Sequence, residues 1–406
     1  MHVSLDSALG RQRRLNSVGE SVLQIAPNAA AAYSLRSLTG GDPKVVRVRR
    51  SSGGEQDFTA SEVASGAMLS YVTEARTGWN IQATFNDTPD GTATITSASS
   101  TATTSTVSFT GSGTIRVLPK SNYVAAEAGD QVVFNMSVSG LDSSMTFRIR
   151  KASSNTTVGT ASVSNGDNQD VTLDLTASSG YTGGYPHFTA DAGSGEATVT
   201  INSVTVNGKS GFVDTWYDQS GNGNDAVQAT AGSQPKIVSA GALVTGGLDF
   251  DGTAHQLTLS NTLGITSAAS HFAVTNLNDA GGADILLDNR DSSTDGYSIR
   301  TNDTSNINFD WLTSDAEVAR ISGQSVYYFN KTSSQVQSGA NGGTLVTASE
   351  SGSVSVAVTP RIGARSFISA TNFLEGTINE LIIYNTDQTD NRTAIEANIN
   401  SHYSIF

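Results

Sequence analysis

The sequence predicts an all-β protein built from two β-sandwiches. Gly, Ser, Thr, Asn and Ala dominate a 406-residue chain in which only 15% of residues are charged, a profile of short strands and tight turns rather than of disorder. Runs alternating Val, Ile, Leu or Phe with polar residues recur throughout, separated by Gly, Asn and Asp, the period-2 signature of half-buried strands. The length also exceeds one ordinary domain of about 100–200 residues.

Residues 1–30 read as an N-terminal arm, partly helical. Residues 1–50 hold eight Lys/Arg against Asp6, Glu20 and Asp42, so Arg11, Arg13 and Arg14 suit docking to an acidic partner surface, although an ordinary solvated leader has the same composition. "APNAAAAYSLRSL" predicts a helix after Pro27 and the cap Asn28, with Ala30, Tyr33 and Leu38 near one face. "KVVRVRRSS" (44–52) predicts a strand with one basic face. "TASEVASGAMLSYVTEA" (59–75) predicts a short helix capped by Thr59 or Ser61, with Val63, Met68, Leu69 and Val72 as its apolar contacts.

From Trp79 the texture changes. About eight alternating segments between there and Gly208, including "GDQVVFNMSVSGL", "MTFRIRKA" and "GEATVTINSVTVNG", make a β-sandwich of about 130 residues. A second all-β series runs from "FVDTWYDQ" to "EGTINELIIYN". The last segment predicts a helix capped by Thr386 or Asp390, with Ile395 and Ile399 on one side.

Several chemistries are disfavoured. A net charge of −14 argues against nucleic-acid binding by the chain as a whole. The chain has no cysteine for disulfides or thiolate metal sites, and its five histidines (His2, His187, His255, His271, His402) are scattered. No 18-residue apolar run suggests membrane insertion, and the start lacks an apolar signal-peptide core. No cofactor is expected. Structural calcium stays open, because "DNRDSSTD" (288–295) offers oxygen ligands without the ordered spacing of an EF-hand loop.

The densest motif is "WYDQSGNGND" (216–225). Asp218 and Ser220 can fold back onto nearby N–H groups, while Gly221 to Asn224 tolerate left-handed conformations. Trp216 and Tyr217 point to opposite faces of a strand. A structural turn accounts for all of this; ligand contact through Asp218 and Asn222 is the competing reading.

"LDFDGTAHQLTL" (248–259), "SHFAVTNL" (270–277) and "FLEGTINELIIYN" (373–385) together resemble the laminin-G-like or concanavalin-A-like jelly-roll pattern over about residues 212–406. "AAYSLR" (31–36), "VRRSS" (48–52) and "WYDQSGNGND" more narrowly resemble the catalytic-domain family of arabinofuranosidase B and its relatives among bacteriophage structural proteins. In that family the last two segments lie much closer together, whereas here about 160 residues intervene. The resemblance therefore implies two jelly-roll β-sandwiches, one inserted in the other. Residues 1–30 form the arm, 31–80 the first part of a concanavalin-like sandwich, 81–210 an inserted carbohydrate-binding-module-like sandwich, and 211–406 the remainder.

The family's cysteine-bearing segment is absent. No pair among Asp218, Asp284, Asp288, Asp291, Asp295, Glu375 and Glu380 can be laid onto its catalytic carboxylates, so no catalytic residue is assigned. Glycan contact is expected instead from aromatics and polar neighbours: Tyr181, Tyr185 and His187 in "SSGYTGGYPHFTADAG" (178–193), with Trp79 beside them and Trp311 as the alternative. Burial in the core is the competing reading for each. The resemblance implies a bacteriophage virion protein, in the tail, fibre or capsid decoration, assembled in the host cytoplasm. Its expected partners are other virion proteins, copies of itself and host-surface carbohydrate. A glycoside hydrolase acting on arabinose-containing polysaccharide is the alternative, and a bacterial surface adhesin a third reading.

Overall fold

A computed structural model of the chain describes residues 19–76, 83–85, 90–119, 128–151, 156–176, 184–278, 283–302, 305–367 and 369–406. The described chain is strand-dominated throughout. Its strands fall into two hydrogen-bonded sets: one contains the strands before Ala60 and after Gly211, the other those between Ala75 and Asn207. Each set encloses its own apolar cluster.

The larger body is a sandwich, as its pairings show. One layer runs Glu55–Thr59, Lys44–Arg50, Gly211–Trp216, Lys236–Ser239, Leu248–Asp251, Glu375–Tyr384, Ala269–Leu277, Ser325–Lys331 and on to Gln335–Ala340. The other runs Ala226–Val227, Leu257–Leu259, Arg361–Ile362, Ile285–Arg290, Gly296–Thr301, Asn306–Trp311 and Ser314–Ala319. Trp216, Phe250, Tyr297, Phe309, Trp311 and Phe329 fill the space between them, each at most 1% exposed. The "FDG" strand lies directly on the closing strand, with Leu248 opposite Ile378 and Phe250 opposite Gly376. Gly247 is required at this approach: its φ is +94°, and a Cβ would sit 2.3 Å from the Ile378 carbonyl oxygen.

The strand Ala269–Leu277 is buried on both faces although it carries Ser270, His271 and Thr275 among its apolar residues. Phe272 and Val274 turn away from the main core into a second cluster with Tyr328, Ile382 and Tyr384, covered by Ile395 and Ile399 of the C-terminal helix Arg392–Tyr403. That helix has its N-cap position at Asn391, one residue after the expected cap Asp390. Val22, Ala26 and Ala29 join the same cluster, and the Tyr384 hydroxyl donates to the Ala26 carbonyl at 2.8 Å. Residues 22–30 therefore belong to the body, and the expected arm shortens from its C-terminal side. Arg11, Arg13 and Arg14 lie outside the described residues.

The alanine-rich helix is corrected. Ala31–Ser34 is a strand, antiparallel to the closing strand with Ala31 opposite Ile383 and Ser34 opposite Glu380. Alanine favours helix locally, but all four residues are buried, and small side chains let a strand lie between two clusters, so tertiary packing overrides propensity. The four-residue helix Val22–Ile25 ends at Ala26, and Asn28, at φ +66°, lies two residues beyond it and caps no helix. The helix expected at 59–75 forms as two pieces, Ala60–Ala64 and Ala67–Thr73, divided at Gly66. Thr59 caps the first, with Glu62 reaching back to the Thr59 N–H at 2.8 Å.

In the second set, Phe134 and Phe147 meet edge to face at 4.9 Å inside a cluster that includes Phe109, Phe188 and Val206. The long strands Ser105–Pro119 and Gly184–Asn207 pair antiparallel, and their register shifts between Asp191 and Glu196. Gly111 permits a close backbone approach beside this shift: its φ is +74°, and a Cβ would lie 2.4 Å from the Thr92 carbonyl oxygen. The chain leaves the larger body through Ala75–Arg76 and returns through Val206–Asn207, and these two short segments pair side by side. Asp130 fastens the junction, accepting from the Ser51 hydroxyl at 3.1 Å and the Lys209 N–H at 2.8 Å. Among the described residues no helix is long and apolar enough to cross a membrane.

Candidate functional site

The "WYDQSGNGND" loop is a clasp on the Ala31–Ser34 strand and its flanks. Asp218 accepts four hydrogen bonds: Oδ1 from the N–H groups of Ala32 and Ser220, both at 2.9 Å, and Oδ2 from the Ser220 hydroxyl at 2.7 Å and the Asn224 N–H at 3.0 Å. The Asn222 amide donates to the Ala29 carbonyl and the Asn224 amide to that of Ala30, each at 2.7 Å. Gln219 donates to the carbonyls of Ser34 and Arg36 at 3.0 Å and accepts from the Leu38 N–H at 2.7 Å. Trp216 is fully buried against Tyr33, with ring centroids 5.4 Å apart, and the Tyr33 hydroxyl donates to the Asn224 carbonyl. Tyr217 points the other way and donates to Asp57 at 2.7 Å. Asp218 and Asn222, the ligand candidates of this loop, thus hold backbone within the chain.

The buried carboxylates are likewise engaged. Glu380 is fully buried and takes a two-pronged bond from Arg36, at 2.7 and 2.9 Å, plus the hydroxyls of Ser34 and Tyr403. Asp288 is fully buried between Arg290 Nε at 2.6 Å and the Ser366 N–H and hydroxyl at 2.6 and 2.9 Å. It lies in a straight polar row, Arg361–Asp288–Ser298–Asp310–Asp315, across five strands of the smaller layer. Asp295 accepts from the Ser355 N–H at 3.2 Å, and Asp291 is exposed on the adjoining turn. Among the described residues no group of three or more His, Cys, Asp and Glu is placed to hold a metal ion.

A different carboxylate environment surrounds the "FDG" strand. Burial pushes the Asp249 carboxyl above its ordinary range. Burial also raises Asp251, but the N–H groups of Ala254 and His255 and the bonds from Thr253 outweigh it and hold that carboxyl well below its ordinary range. Asp251 stands opposite Glu375 across the strand pair. His255 Nε2 lies 3.6 Å from Asp251, and burial lowers this histidine's pKa.

The aromatic candidates separate. Trp311 is corrected to a core residue: it is fully buried, stacks on Tyr297 with centroids 5.3 Å apart, and donates through Nε1 to the Gly352 carbonyl at 3.1 Å. Tyr181 and Trp79 lie outside the described residues. Tyr185 and His187 alternate along the strand Gly184–Asn207, and the register sets His187 between Arg148 and Arg116, and Tyr185 beside Arg150. The next row along this sheet face is Ser162–Thr146–Thr189–Thr114. Because Phe147 and Phe188 are fully buried, the alternate residues Thr146, Arg148 and Thr189 belong to the face opposite the core. Arg148 is fixed by the Thr189 hydroxyl at 3.0 Å, and Thr189 meets Thr114 at 3.1 Å. His187, on the same face, is only 2% exposed.

No family model matches this chain, and no curated protein matches it. Solved structures similar to it are β-sandwich proteins at low identity. An α-L-arabinofuranosidase of family GH54, soaked with a cyclic sulfate inhibitor, is 14% identical over 66% of this chain and 62% of its own, with a TM-score of 0.36. Domains LG4-5 of the mouse laminin α1 chain are 10% identical over 68% of this chain and 84% of their own (TM-score 0.29). Trypanosoma rangeli sialidase in complex with sialic acid is 10% identical over 76% of this chain and 53% of its own (TM-score 0.34). The chain thus spans less than two thirds of the arabinofuranosidase and of the sialidase. None of these likenesses assigns it to a family.

Proposed function

We propose that this chain is a structural protein of a bacteriophage particle that binds carbohydrate without covalent chemistry. One observation carries the binding half of the reading. Polar groups of the conspicuous loop and the buried carboxylates are engaged inside the fold, while the face around Arg148, His187 and Thr189 presents hydroxyl and guanidinium groups on the side away from the core. Such groups recognise the hydroxyls of a sugar by hydrogen bonding. The virion half is supported by the sequence resemblance of "AAYSLR", "VRRSS" and "WYDQSGNGND". Other virion proteins and further copies of the chain are its proposed partners, and the basic residues Arg11, Arg13 and Arg14 its proposed docking element.

The test is incubation of the intact protein with host-surface polysaccharide, measuring retention and new reducing ends in the same reaction. Retention without new reducing ends is expected. Mass spectrometry of purified particles tests the virion assignment, and removal of residues 1–18 is expected to abolish incorporation while leaving thermal unfolding unchanged.

Hydrolysis is the second reading, favoured by one site. Asp249 and Asp251 are neighbouring carboxyls pushed in opposite directions, and such separation marks an acid and a base. Release of reducing sugar that disappears in Asp249→Asn would overturn the non-covalent reading.

A further inference from the structure

We infer that the sheet face centred on Arg148 binds an acidic polysaccharide through its carboxylate groups, an inference that rests on the carbohydrate-binding reading and names its ligand class. The starting observation is the distribution of charge. Residues 77–208 contain ten Asp and Glu but only five Lys and Arg: Arg116, Lys120, Arg148, Arg150 and Lys151. In sequence these are two separate clusters about thirty residues apart. The fold brings the strands that carry Arg116, Arg148, Arg150 and Lys151 to either side of one strand. Arg148 stands opposite His187, His187 opposite Arg116, and Arg150 opposite Tyr185. Four of the five cations, Arg116, Arg148, Arg150 and Lys151, thus lie on neighbouring strands at one end of one sheet of an acidic module.

The placement is specific in a second way. Adjacent strands lie about 4.8 Å apart, and same-face residues along a strand about 6.7 Å apart, so the cation row and the hydroxyl row Thr146–Thr189–Thr114 are immediate neighbours. Arg148 is held by a neutral hydroxyl, that of Thr189. A guanidinium has five N–H donors in a planar fork that fits a carboxylate with two parallel bonds. A ligand matching this face has one carboxylate and several hydroxyls close together, which describes a sugar acid within a polymer. Asp191, the nearest acid along the central strand, is four residues beyond His187, about 13 Å away, and Asp90 stands opposite Thr114 at the end of the hydroxyl row.

A nucleic acid fits less well. Its affinity comes from neutralising many consecutive phosphates, whereas the module here has twice as many acids as cations. Charge complementarity therefore selects a ligand with spaced rather than continuous negative charge.

The intact chain and its Arg148→Gln and Arg150→Gln variants should be applied to an array of carboxylated, sulfated and neutral glycans, with single-stranded DNA as a further probe. The glycans bound by the intact chain should be carboxylated. Each variant should bind them at least about tenfold more weakly, the magnitude expected for loss of a charge-assisted hydrogen bond, with unchanged melting. Arg148→Lys should restore only part of the affinity, because it keeps the charge and loses the fork. Binding to neutral glycans alone, or carboxylated-glycan binding indifferent to both variants, would overturn the inference while leaving the carbohydrate reading intact. Failure to bind any glycan would overturn both. Tighter binding to DNA would replace the polysaccharide with a nucleic acid. If a Gln variant melts lower, the intact protein titrated with free galacturonate against galactose decides: equal competition by the neutral sugar overturns the inference.

Discussion

At the scale of single residues, the fold depends on a few polar groups that look like a site in the sequence. Asp218 accepts from four donors, and Asp218→Ala leaves the partly buried N–H groups of Ala32 and Asn224 without their acceptor. A loss of about 3 kcal/mol is expected in denaturant unfolding. Trp311→Ala should lose roughly 3–5 kcal/mol without altering ligand binding, since the ring is core. A change in binding without destabilisation would return Trp311 to the ligand candidates. His271 supplies a pH dependence. It is packed against Tyr297 and Phe309, with centroids 5.1 and 5.5 Å away, and burial lowers its pKa from 6.5 to about 3. Its folded pKa lies below its unfolded one, so between those values the unfolded state binds the extra proton. Stability should therefore fall as pH drops through 6.5 towards 3, and His271→Phe should flatten part of that slope in melts taken across the range.

At the scale of elements, glycine positions make the sharpest prediction. Gly111→Ala puts a Cβ 2.4 Å from the Thr92 carbonyl at a φ of +74°. Hydrogen exchange should accelerate in the strands around Ser105–Pro119 while the Trp216 core keeps its protection; uniform acceleration would mean that the two cores unfold as one. The sequence made most strands legible, because segments such as "QVVFNMSVS" alternate cleanly and bury one face. It also made the Thr59 cap legible, since Glu62 follows three residues later. It misled at "AAAAYS", where local composition favours helix but the segment lies between two apolar clusters, a fact set by residues hundreds of positions away. The clasp was half legible. Asn and Gly announced a turn, yet nothing local said that the amides of Gln219, Asn222 and Asn224 would reach the carbonyls of residues 29–36. The cation row was invisible for the same reason: Arg116 and Arg148 become neighbours of His187 only through strand register.

At the scale of the whole molecule, the described junction between the larger body and the second set includes the Ala75–Arg76 and Val206–Asn207 pairing, the carboxylate of Asp130 and the Arg76 guanidinium, which donates to the Ser52 and Gly53 carbonyls. The polar loops of the larger body hold its own backbone, and the proposed ligand face belongs to the other core. These are separable roles. Replacing residues 77–206 with a short Gly/Ser joint adds little closure entropy, because that cost changes only slowly with loop length, and the main cluster from Tyr33 to Ile383 stays complete. The most direct test is to compare glycan binding and thermal unfolding of this shortened chain with those of the intact protein. The account predicts that the shortened chain melts cooperatively and has lost all glycan binding. Retained glycan binding by the shortened chain would contradict it.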